Sequence, residues 1–191
     1  MNKEYWDNFY KSKRINSPTS FVKFCSFWLN YNNIKDINQI YDFGCGNGRD
    51  TVYWMKNHFS VIGIDQSYKK KPSDQFILSN TDIMSFISEK QNTNNDIVYS
   101  RFFLHSIDWE TILNLLSWTK GYFMAEFRLV GDKPIIYPTH KRNLINPFNL
   151  QSVLLAYGFK IFYYIEDRDL AVYGKENPLI GRVIAKKLIG D

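Results

Sequence analysis

The chain has 191 residues, 24 Lys and Arg against 19 Asp and Glu, and a formal charge of +5, enough chain for one domain with a sizeable core. At 45% hydrophobic and 23% charged residues its composition is that of a globular protein and excludes a disordered one. No run approaches the roughly 18 to 20 apolar residues of a membrane span, and residues 1–7 carry no apolar leader, so a cytoplasmic protein is expected.

Local hydrophobic period then divides the chain. Residues 19–31 place Phe21, Phe24, Cys25, Trp28 and Leu29 at helical spacing behind the start signal Ser17-Pro18-Thr19. A buried strand is predicted over 39–43, a helix over 50–57, strands over 59–64 and 75–78, and a weaker helix over 83–89. The pattern continues with a strand over 96–99, a helix over 109–118 and a strand over 121–127. After a stretch marked by Pro134, Pro138 and Pro147, a helix over 148–157 ends at Gly158, and strands over 159–166 and 180–188 close the chain. Strands alternating with helices predict an α/β fold, a mostly parallel seven-stranded sheet with helices on both faces. No helix separates the last two strands, which are therefore expected to form an antiparallel C-terminal β-hairpin.

Charge is spread thinly despite a pI near 9.0, and its one dense run, Lys69-Lys70-Lys71, reads as a solvated loop rather than a nucleic-acid patch. Cys25 and Cys45 are too few for a disulfide framework or a zinc site, so no metal is expected. Cys45 reads as a small filler of its loop rather than a nucleophile.

The most informative stretch is Tyr41-Asp42-Phe43-Gly44-Cys45-Gly46-Asn47-Gly48-Arg49-Asp50, between the first strand and its helix. Alternate glycines let the chain turn tightly and let a ligand approach bare backbone beside helix N-terminal amides. Nucleotide-like cofactors bind such loops. Asp42 would repel a pyrophosphate held there and suits a cationic ligand, and Gly44-x-Gly46-x-Gly48 departs from the dinucleotide fingerprint. S-adenosylmethionine carries an ammonium and a sulfonium and no phosphate. Asp65, ending the second strand, is placed to accept from ribose hydroxyls. Asp82 is placed to accept from the adenine amino group, with the Ile83 amide donating to a ring nitrogen.

Through these residues the chain resembles class I S-adenosylmethionine-dependent methyltransferases, over about residues 41–188. The resemblance implies a Rossmann-like fold, S-adenosyl-L-methionine as cofactor, and in-line displacement of its methyl group with S-adenosyl-L-homocysteine as product. Gln66, beside Asp65, and Ser100, ending the fourth strand, complete the expected cofactor contacts. The segments 96–107, 125–128, 139–142 and 170–178 are similar to those of small bacterial methyltransferases encoded among cell-surface polysaccharide genes. That likeness implies O-methylation of a small or glycan-linked acceptor.

On the acceptor side, Arg101, Arg128 and Arg142 suit an anionic group, phosphate or carboxylate. His105 is the expected base, against the alternative that it only caps the next helix; His140 is the other choice, and Glu126 is grouped with them as catalytic. The division expected is an N-terminal helical lid, residues 1–35, and a core, residues 36–191. Tyr5 and Trp6 would exclude water and Arg14 would approach the cofactor carboxylate, unless this helix simply packs on the sheet. Three rival readings stand beside this one. An RNA methyltransferase is favoured by the charge but lacks both an added RNA-binding module and an (N/D)PP(Y/F) segment; the others are a non-catalytic partner that keeps the fold, and a dehydrogenase.

Overall fold

The computed structural model describes residues 17–66, 77–79, 81–132, 136–137 and 140–188, with 77–79, 136–137 and 140–141 described by their backbone alone. The residues expected to close the lid, Tyr5, Trp6 and Arg14, lie outside the described residues, as does the lysine run at 69–71.

The elements follow the hydrophobic period. Helix α1 (Ser20–Tyr31) precedes β1 (Gln39–Phe43), α2 (Arg49–Lys56), β2 (Val61–Ile64), β3 (Ile77–Ser79), α3 (Ile83–Glu89) and β4 (Asp96–Arg101). A 3-10 turn (Leu104–Ser106) leads to α4 (Trp109–Trp118) and β5 (Tyr122–Arg128). The two-residue strands β6 (Ile136–Tyr137) and β7 (His140–Lys141) pair with each other. Helix α5 (Pro147–Ala156) and strands β8 (Phe159–Asp167) and β9 (Ile180–Lys187) complete the chain. Side-chain caps fix the helix starts: Thr19, Asp82, Asp108 and Asn146 each accept an amide of the first turn, and Pro147 follows Asn146 where its missing N–H costs nothing.

The main sheet runs β3-β2-β1-β4-β5-β9-β8, six strands of four to nine residues with the three-residue β3 at one edge. Pairings from β3 to β5 are parallel, and β9 runs antiparallel between β5 and β8. A parallel sheet of this order opens a crevice where the strand order reverses, at the carboxyl ends of β1 and β4.

Each sheet face buries its own cluster. Ile40, Ile97, Tyr99, Met124 and Ile184 pack beneath α1 and α2, against Phe21, Val22, Cys25, Leu29 and Trp54. Tyr41, Phe43, Val98, Phe123 and Ala125 pack on the other face against Phe86, Ile112, Leu115, Leu116, Leu150 and Leu154. The described part of the expected lid is thus a core helix. Phe21, Val22, Cys25 and Leu29 are buried on the sheet, Phe24 and Trp28 are partly exposed, and the N-terminal end, at Thr19 and Ser20, reaches the crevice.

Candidate active site

The crevice holds a cavity of about 530 Å³ whose walls include Thr19, Asp42, Gly44, Asp65, Arg101 and Phe102. That volume suits a ligand of nucleoside size. Gly44 turns at φ 75°, and a Cβ there would stand 2.6 Å from the Phe103 ring, so only glycine lets the loop pass beneath that side chain. Its amide and that of Cys45 both donate to the Ile64 carbonyl, at 2.8 and 3.3 Å, which fastens the loop to the end of β2.

Three acids crowd the glycine loop. Asp42 is buried in β1 and accepts from the Thr51 hydroxyl at 2.6 Å. Burial pushes its carboxyl up to about 8, and the nearby Asp50 and Asp65 add to the rise against the Thr51 hydrogen bond. Asp65 accepts from the Gly46 amide at 3.0 Å. Asp50, in the first turn of α2, accepts from the Thr19 amide and hydroxyl at 2.9 and 2.8 Å and from the Tyr99 hydroxyl at 2.8 Å. Sequence reasoning missed Asp50 and Thr19. Their signal was the pair of helix-start residues, each with a partner to find, and they tie the start of α1 to the glycine loop.

Asp82 departs from expectation. It is exposed, it does not line the cavity, and its two oxygens accept from the Ser85 amide and hydroxyl at 3.0 and 2.7 Å. These bonds hold its carboxyl below the usual range. The reason is local: an aspartate just before a helix satisfies orphan amides of the first turn. Asp82→Ala is therefore expected to cost about 1 kcal/mol of stability, measured by urea denaturation, with S-adenosylhomocysteine affinity unchanged. Ile83 and Gln66 also stand outside the cavity walls, and Ser100 is fully buried with its hydroxyl unpartnered.

On the acceptor side the sheet register decides the roles. Arg101 of β4 faces Glu126 of β5, which faces Arg182 of β9, so one row across three strands reads cation, anion, cation. Glu126 is fully buried. Its Oε1 accepts from Arg101 Nε at 2.8 Å and its Oε2 from Arg182 Nε at 2.7 Å. Both oxygens are thus engaged and Glu126 does not line the cavity, which corrects its expected catalytic role to that of the centre of an ion-pair row. Arg182 in turn donates to the Ser20 hydroxyl and the Leu170 carbonyl, at 2.8 and 2.9 Å. The row thereby holds the β8–β9 connection against the mouth of the cavity, where Asp169 to Tyr173 form a wall.

His105 is buried in the cavity wall, and its Nδ1 accepts from the Arg128 amide at 3.3 Å. In the neutral ring the proton therefore sits on Nε2, which makes that nitrogen a donor rather than a base. Arg128 and Arg142 line the cavity with Arg101. The His140 backbone belongs to β7; its side chain lies outside the described residues.

This order of strands, with its crevice and acidic glycine loop, is the fold of S-adenosylmethionine-dependent methyltransferases. No known protein-family profile matches the chain, and no curated protein matches it in sequence. Among solved structures it is similar to an S-adenosylmethionine-dependent methyltransferase from Archaeoglobus fulgidus, at 20% identity and TM-score 0.60 over 87% of this chain and 94% of that one. It is also similar to the 1,6-didemethyltoxoflavin N1-methyltransferase of Burkholderia thailandensis, at 15% identity and TM-score 0.66 over 88% and 78%. A third is the magnesium protoporphyrin IX methyltransferase of Synechocystis with its bound cofactor, at 16% identity and TM-score 0.63 over 87% and 78%. At these identities the likeness is one of fold.

Proposed function

We propose that this chain is an S-adenosylmethionine-dependent methyltransferase acting at an oxygen of a small or glycan-linked acceptor. The observation that carries the reading is the set of carboxylates, Asp42, Asp50 and Asp65, gathered at a glycine loop on the wall of one cavity. A pyrophosphate would meet the carboxylates of Asp50 and Asp65 beside the raised carboxyl of Asp42, whereas an ammonium draws Asp42 into its charged form and ribose hydroxyls find acceptors.

The donor set thus fits the cofactor. Asp42 would take the ammonium end and Asp65 the ribose, with the Gly44 turn admitting the ligand to bare backbone. When bound, the cofactor supplies an electrophilic methyl group on a positively charged sulfur. The chain's own residues orient and exclude: Phe102 and Phe103 shield the crevice from water, while His105 Nε2–H and the Arg101 guanidinium direct the acceptor. Rate is gained by holding the two reactants in line. A place in cell-surface polysaccharide synthesis rests on the likeness of segments 96–107, 125–128, 139–142 and 170–178 to small bacterial methyltransferases of such gene clusters.

Calorimetric titration tests the reading. S-adenosylhomocysteine is expected to bind at one site per chain and NAD not to bind. Saturable NAD binding with no response to S-adenosylhomocysteine would overturn it.

A further inference from the structure

The end of the cavity away from the glycine loop is built around Phe102. This residue holds a left-handed backbone at φ 55°, a conformation that bulky side chains rarely adopt and that persists where the surroundings enforce it. Here its amide donates to the Glu126 carbonyl at 2.8 Å. The enforced turn places the ring among cations. Arg101 Cζ stands 4.3 Å from the ring centroid, Arg128 Cζ 5.8 Å, and the His105 ring 5.5 Å. All four residues line the cavity.

The two guanidiniums are held but not saturated. Arg101 gives its Nε to Glu126, and its two terminal nitrogens make no hydrogen bond among the described residues. Arg128 is 6% exposed, its Nη1 stands 3.8 Å from the Asp132 carboxylate, and its buried Nε has no acceptor among the described residues. It donates through a terminal nitrogen to Glu176 Oε2 at 2.7 Å. That pair is lopsided: the Arg128 side chain is 7% exposed and that of Glu176 53%. Glu176 reaches in from the β8–β9 connection, where its backbone exchanges two hydrogen bonds with Tyr173, both at 2.9 Å, and Arg168, Asp169 and Asn177 make further ties. Its side chain can swing outward without undoing them.

We infer that Glu176 occupies the place of a phosphate group carried by the methyl acceptor, and that Arg101 and Arg128 bind that phosphate once Glu176 is displaced. The inference rests on the methyltransferase reading for the identity of the ligand as acceptor. A phosphate fits better than a carboxylate on donor count. The two terminal nitrogens of Arg101, with the Nε of Arg128 and the nitrogen that Glu176 vacates, outnumber the two oxygens of a carboxylate and suit the three terminal oxygens of a phosphate monoester.

The test titrates the full chain, saturated with S-adenosylhomocysteine, with inorganic phosphate at fixed ionic strength and with acetate as the control. Glu176→Gln is expected to bind phosphate about tenfold more tightly than the wild type. Arg101→Lys, which keeps a cation beside Glu126 but removes the fork, is expected to bind it about tenfold more weakly. Phosphate affinity unchanged in both variants, or acetate bound as tightly as phosphate, would overturn the inference. Loss of S-adenosylhomocysteine binding by the wild type would instead overturn the methyltransferase reading, so the two failures are told apart.

Discussion

Asp42→Asn is expected to bind S-adenosylhomocysteine at least about tenfold more weakly than the wild type at pH 8, and at the same pH to melt at a higher temperature. Both effects follow from one buried carboxyl, raised from 3.8 to about 8 chiefly by burial. Between those values the folded chain keeps a proton that the unfolded chain has released. The stability this group contributes is complete below about 3.8 and declines as pH rises to about 8. Asparagine keeps an oxygen for the Thr51 hydroxyl and never ionises. The difference in melting temperature between variant and wild type should therefore widen from pH 4 to pH 8.

Ligand affinity moves in the opposite sense. A bound ammonium favours the ionised carboxylate, so wild-type affinity should rise by up to about tenfold per pH unit below about 8 and level off above it. The variant should show no such rise. A variant that binds as tightly as wild type with the same pH dependence would remove Asp42 from the cofactor site.

The second large effect concerns Glu126. Truncation to alanine strands Arg101 and Arg182 without their shared counter-charge in a place nearly closed to water, which is expected to cost about 3–5 kcal/mol. Urea denaturation would measure it. Glu126→Gln should retain part of the loss, because the amide still accepts from one guanidinium. If instead both variants kept full stability while losing one limb of the pH–rate profile, Glu126 would be returned to acid–base chemistry.

Some parts of the molecule were legible in its residues. Helix and strand limits were, because each buried stripe repeats at the period of its own element: Phe21, Cys25 and Leu29 on α1, or Ile40 against Tyr41 on β1. Asp42 was also legible, since adjacency in sequence puts it with the glycines, whereas Asp50, whose partners Thr19 and Tyr99 lie far along the chain, was not. Roles that depend on register were not. Glu126 was grouped with the catalytic residues because nothing local reveals that Arg182, fifty-six positions later, stands directly opposite. A signal was present: Arg182 is the lone charge in the first six positions of β9 and Glu126 the lone acid in β5, and two such charges in buried strands call for each other. Asp82 misled for a different reason, since a cap and an adenine contact ask for the same residue at the same place.

The β8–β9 connection closes largely on itself, through Asp169 with Asn177 and Arg168 with the Asn177 carbonyl. A hairpin tip bonded in this way can be exchanged for another of different length while the strands beneath it keep their alignment. Such an exchange would alter the rim of the cavity formed by Asp169 to Tyr173 while leaving Arg101, His105 and Arg128 in place on β4, the 3-10 turn and β5 beneath it.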